Sequence, residues 1–153
     1  MTIFIADFEA NGLRPDADRI WCGVLKEYGT DTIIRFNYGD GISIPPNSTL
    51  VMHNGIQYDR WLLKKVADIS IPIHMVIDTL ILSKMLWPQL KVPNGWKGKA
   101  KPHSIEAWGM RFGVKKPEQE QWDVWEPNML HRCEQDVLIT ERLYSKCIEE
   151  CKK

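Results

Sequence analysis

What the chain lacks narrows its class first. Its four cysteines, Cys22, Cys133, Cys147 and Cys151, are irregularly spaced and form no CxxC pair. A zinc cluster and a dithiol redox motif are set aside, and reduced thiols in a cytoplasmic protein are the expectation. No stretch approaches the roughly eighteen consecutive apolar residues of a membrane span, and the opening MTIFIADFEA has no basic segment before its apolar one. Neither a membrane helix nor a signal peptide is expected. No sign of charge is in excess, because 20 basic and 20 acidic side chains cancel. Indiscriminate nucleic-acid binding through a global positive field is thereby excluded, so a polyanion would have to be met by a local patch or by metal ions. There is no repeat, low-complexity tract or linker, and 153 residues suit one domain, 1–153.

What is present is ordinary for a globular protein, with 44% hydrophobic and 26% charged residues. Thr2 to Ala6 reads as a short buried strand. Ile20 to Lys26 and Thr32 to Phe36 read as a hairpin around Tyr28 to Asp31. Thr49 to His53 is a fourth strand that enters a helix over Tyr58 to Ala67, and Met75 to Asp78 is a fifth that feeds a second helix. Hairpin β followed by βαβα predicts a mixed sheet of about five strands flanked by helices, an α/β fold. Trp87 to Pro102 is a long basic loop without period. His103 to Phe112 is a helix with Ser104 as N-cap and Gly113 as terminator, and a last helix runs from near Pro127 toward Cys151.

Three acidic settings stand out. Asp7 and Glu9 flank Phe8, and residues two apart on a strand share a face. Both carboxylates can therefore point at one spot while Phe8 turns into the core, and they repel unless a cation lies between them. Asp59, in HNGIQYD, falls in the first turn of a helix, where an acid also suits the helix dipole. Asp136, in HRCEQDVLIT, lies within the last helix, where facing the sheet would be costly unless it were paired or liganded.

Taken together, the strings DFEANGL, WCGV, HNGIQYD, IDTLILSKML, HSIEAWGMRFG and QDVLIT, in that order from residue 7 to 140, resemble the DEDD superfamily of 3′-to-5′ exonucleases on the RNase H-like (DnaQ-like) fold. The similarity is greatest to the exonuclease domain of family A DNA polymerases from short-tailed phages. The resemblance implies that Asp7, Glu9, Asp59 and Asp136 bind two magnesium or manganese ions. It makes Leu13, presented by Asn11 and Gly12, the wedge at the terminal base. Phe8 and Asn54 join these as candidate substrate contacts, while His53, Asp78-Thr79 and Trp108-Gly109 carry no assigned chemistry.

The third motif departs from the phage pattern. The position four residues before Asp136 is Arg132 where that branch has a tyrosine, and an arginine cannot serve as a base. His131 matches the histidine branch and is the candidate general base. On an ideal helix, however, it would point about 140° away from Asp136, so it has to precede the regular helix or sit in a distorted first turn. Lys97, Lys99 and Lys101, with Trp96 among them, are candidate contacts to phosphates and bases.

The implied activity is hydrolysis of the 3′-terminal phosphodiester, most simply of single-stranded DNA, in the cytoplasm of a phage host. The chain ends soon after the last motif, so a stand-alone nuclease, or a subunit serving a polymerase in trans, is expected. An RNA-directed exonuclease and a non-catalytic 3′-end-binding module remain open alternatives.

Overall fold

The computed structural model describes residues 1–153. Its strands are β1 (Thr2–Ala10), β2 (Ile20–Glu27), β3 (Ile33–Phe36), β4 (Ser48–Met52) and β5 (Val76–Asp78). Its helices are α1 (Asp59–Ala67), α2 (Thr79–Leu86), α3 (Ile105–Phe112) and α4 (Asn128–Cys151). The strands form one mixed sheet in the order β3-β2-β1-β4-β5. The first three pair antiparallel, whereas β4 runs parallel to both β1 and β5. This is the expected hairpin-then-βαβα sheet.

β1 is longer than its apolar run suggests. Asp7, Phe8 and Glu9 stay in the ladder opposite Val24, Gly23 and Cys22, and the register slips only between Glu9 and Ala10. Phe4, Ala6, Phe8 and Ala10 project to one side, where they pack with Leu62 and Leu63 of α1. Ile5 projects to the other and packs with Met129, Cys133 and Val137 of α4. Because side chains alternate along a strand, Asp7 and Glu9 continue the row that faces α4. The core on that side turns acidic at the end of the central strand.

Phe8 fits because its neighbour across the ladder is a glycine. A Cβ on Gly23 would come within 2.4 Å of the Phe8 ring.

α4 is held by side chains that are fully buried, among them Met129, Ile139 and Leu143, each worth about 1.5–3 kcal/mol in removal from water. A second group, Trp108 of α3 with Ile139, Leu143 and Cys147, fastens α3 against it. Ser104 caps α3 by accepting from the Ala107 N–H, and Gly113 closes it at φ 69°. No helix is long and apolar enough to cross a membrane.

Candidate active site

The four acids meet. Asp7 and Glu9 from β1, Asp59 from the start of α1 and Asp136 from α4 line one cleft of about 650 Å³. Asp59 is placed by the turn after β4, and that turn is held by Asp78, a residue to which the sequence assigned no chemistry. Asp78 accepts the N–H groups of Asn54 at 2.9 Å, Leu80 at 3.0 Å and Ile56 at 3.2 Å. Asn54 takes the left-handed conformation, φ 63°, which asparagine tolerates better than most residues. Next in the chain, the Tyr58 hydroxyl donates to the Gly12 carbonyl at 2.6 Å. The second acidic setting is thus tied to the loop that displays Leu13.

Burial and mutual repulsion dominate the cluster. Asp7 is pushed well above the usual carboxylate range by burial, then by Asp136 and Glu9. Glu9 is pushed up to about 8 by burial and Asp136, with Arg132 and Lys116 opposing. Burial raises Asp59 to about 7 even though the Phe8 N–H and its own N–H favour the ionised form. Asp136 is raised by burial despite Lys116 beside it. One buried oxygen each of Asp7 and Asp59 has no hydrogen-bond partner, whereas Asp136 is met by Lys116. Such groups are expensive to leave unsatisfied, and hard, oxygen-only donors converging from three segments fit a divalent cation of the magnesium or manganese kind. One oxygen each of Asp7 and Glu9 also lies within 4.8 Å of the Cys133 sulfur and of the other. Cys133 has a separate task, since its thiol donates to the Asp7 carbonyl at 3.1 Å and fixes α4 to β1.

The cleft contains two cations that the sequence reading did not place there. Lys116, from the connection between α3 and α4, sits with Nζ 2.6 Å from Asp136 Oδ1 and 3.4 Å from Glu106. Burial opposes its charge, but Asp136 and Glu106 outweigh that and raise its pKa. Arg132 stacks 5.6 Å from the centre of the Trp122 ring and donates to the Pro117 carbonyl at 2.7 Å. The arginine that stands in the tyrosine position thus clamps the loop that delivers Lys116. Nothing periodic marks a lysine in an irregular loop, so only the Arg132 departure hinted that this corner was rebuilt.

His131 is not brought into the cleft. α4 is already regular from Asn128, so the five-residue offset from Asp136 turns the imidazole away and leaves it exposed. Asn11, Gly12, Leu13 and Asn54 do line the cleft. Asn11 spends its side chain on the loop, donating to Asp18 and accepting the N–H groups of Asp18 and Arg19. Leu13 stands 79% exposed at the rim, as a wedge would. Phe8 borders the cleft, but its ring packs in the core. His53 has both ring nitrogens engaged, with Thr79 and with the His103 carbonyl, which leaves neither free for a substrate. Lys97, Lys99 and Lys101 are exposed on the long loop and do not line the cleft.

The mixed five-stranded sheet flanked by helices is that of the RNase H-like exonuclease fold. The chain is 26% identical to the DNA-directed DNA polymerase of Escherichia phage T7 over 191 aligned positions, which cover 97% of this chain and 27% of the polymerase. The corresponding polymerase of Enterobacteria phage T3 matches with the same identity and coverage. The chain therefore spans about a quarter of the length of these relatives. No protein-family model matches.

Among solved structures, one described as the apo form of a nuclease superposes with a TM-score of 0.68 at 20% identity, covering 97% of this chain and 72% of that one. E. coli Exonuclease I in complex with a dT13 oligonucleotide superposes at 0.57 and 14% identity, over 95% of this chain and 40% of that one. An ExoI/SSB-Ct complex superposes at 0.58 and 13% identity, over 97% and 41%.

Proposed function

We propose that the protein is a divalent-metal-dependent 3′-to-5′ exonuclease that removes nucleoside 5′-monophosphates from the 3′ end of single-stranded DNA. The observation that carries this is the cleft itself, in which buried carboxylates from β1, α1 and α4 converge, an oxygen each of Asp7 and Asp59 without a partner, beneath an exposed Leu13. The direction of attack is supported by the order and spacing of the acids, which resemble those of the DEDD exonucleases. The DNA substrate is supported by likeness to phage DNA polymerases and to an exonuclease solved with a DNA oligonucleotide. A DNA polymerase acting alongside is the partner that those relatives suggest.

In this reading Asp7, Glu9, Asp59 and Asp136 hold two magnesium or manganese ions. Two such ions neutralise charge on the attacking and leaving oxygens and make water a better nucleophile. The chain's own residues do the rest. Leu13 packs against the terminal base and separates it from its neighbour. The 11–19 loop, closed by Asn11 and tied down by Tyr58, holds that wedge in place. Lys116 and Arg132 place positive charge on the α4 side of the cleft, where a phosphate carrying extra charge would lie.

End-labelled single-stranded DNA, duplex DNA and RNA, each with magnesium, manganese or EDTA, test the proposal. Metal-dependent release of mononucleotides from the 3′ end of DNA is expected. Tight binding without cleavage under every condition would make the protein a binding module, and preferential cleavage of RNA would reassign its substrate.

Metal binding should also be visible in stability. Carboxylates whose folded pKa lies above the unfolded value take up protons on folding. The stability they lend is present at low pH and is lost as pH rises from about 4 through about 8. The metal-free protein is expected to melt progressively lower over that interval. At pH 8, magnesium or manganese at about a hundredfold excess over its Kd should raise the melting temperature by about 5 to 10 °C. A melting temperature indifferent to both ions would remove the metal site.

A further inference from the structure

Resting on the nuclease reading, we infer that a basic groove beside the cleft, formed by Arg14, Arg60, Trp61, Lys64 and Lys65, carries the phosphodiester backbone of the DNA strand upstream of its 3′ end. The groove, about 360 Å³, lies between α1 and the loop that displays Leu13, and no carboxylate lines it. Its residues come from two segments far apart in the chain, Arg14 from one and Arg60 to Lys65 from the other, so no contiguous basic motif marks it. The fold binds the two together. Arg14 donates to the Gln57 carbonyl at 3.3 Å, and Lys65 donates to the Pro15 and Ala17 carbonyls, both at 2.7 Å.

These bonds leave donors to spare. A guanidinium has five N–H groups and an ammonium three. Arg60 uses its Nε on the Ile71 carbonyl, which leaves both terminal nitrogens for another partner. Lys64 is paired only with exposed Asp68, at 2.7 Å. The half-buried Trp61 ring has the Arg14 guanidinium 5.5 Å and the Lys65 ammonium 5.1 Å from its centre. An aromatic face with cations around it suits a base and its phosphate.

Charge decides the occupant. In the metal-free cleft five carboxylates, Asp7, Glu9, Asp59, Glu106 and Asp136, outnumber the two cations Lys116 and Arg132, and the molecule as a whole has no net charge to compensate. Attraction for the strand has to be local. This groove adjoins both the wedge, through Arg14, and Asp59, through α1. The nine residues of α1 extend about 13 Å from Asp59, so a strand leaving the wedge meets the groove directly.

The probe is oligodeoxythymidylate with phosphorothioate linkages at its 3′ end, about three or about fifteen nucleotides long, lengths that fall below and within the usual range of single-strand site sizes. Its binding is measured with magnesium over a series of salt concentrations. Arg60→Ala combined with Lys64→Ala should weaken the long oligomer about tenfold and lower the slope of log K against log salt by about 1.4, since each single-strand phosphate contact contributes about 0.7. The short oligomer should lose less than about twofold. Because Arg60 also supports the Ile71 carbonyl, Lys64→Glu alone serves as the arm that leaves the fold intact, and it should lower the same slope. An unchanged slope, or equal losses on long and short oligomers, overturns the groove. If wild-type protein neither binds nor cleaves any of the nucleic acids offered, it is the nuclease reading that fails.

Discussion

Asp7→Asn is expected to lose at least about a thousandfold in turnover while melting higher than wild type in EDTA. Asp7 is held well above the usual carboxylate range because it is buried and faces both Asp136 and Glu9, and one of its oxygens has no partner. A metal ion supplies several kcal/mol of charge stabilisation in phosphoryl transfer, and about 1.4 kcal/mol is tenfold in rate. Loss of a ligand at the centre of the cluster therefore costs at least three decades. The amide keeps the shape and takes one carboxylate out of a buried, mutually repelling group, which removes the desolvation and repulsion that folding works against. Turnover and the metal-free melting temperature check the two halves separately. Near-normal turnover removes Asp7 from the site, and a fall in melting temperature shows that repulsion is not what the cluster stores.

A second large effect should separate Lys116 from His131. Lys116→Met is expected to cost about 10 to 100-fold in kcat/KM, the size of a lost charge-assisted contact of about 1.5–3 kcal/mol. His131→Ala should stay within about tenfold of wild type, because its side chain is exposed on a regular stretch of α4. Steady-state kinetics with saturating manganese measure both. A loss of about a hundredfold or more in His131→Ala is the signature of a general base. It would mean that the first turn of α4 opens to bring the imidazole in, as the histidine-branch reading of the third motif requires.

The acids could be read from the chain because strand alternation and helix position are local rules. Asp7 and Glu9 share a face by period two, Asp59 opens a helix, and Asp136 lies on its buried side. Element order and sheet composition followed from the same rules, and β1 was underestimated only because its last residues are polar in sequence yet remain paired to β2.

What escaped was assembled by the fold. Lys116 reaches Asp136 because Arg132 and Trp122 fasten an irregular loop. Asp78 looks like packing until its three accepted N–H groups are seen to shape the turn before Asp59. Lys97, Lys99 and Lys101 drew notice as neighbours in sequence, whereas the basic residues that gather beside the wedge come from segments about 50 positions apart.

The contact between Gly23 and Phe8 also carries a meaning for design. Asp7 and Glu9 keep their separation because the ring between them is sunk into a hollow that an absent side chain leaves on β2. A methyl group placed there would push the ring outward and turn the two carboxylates like spokes on a shared axle. The gap between the acids is in this sense written on the adjacent strand, and anyone wishing to retune the site for an ion of another radius could begin at a residue that never touches it.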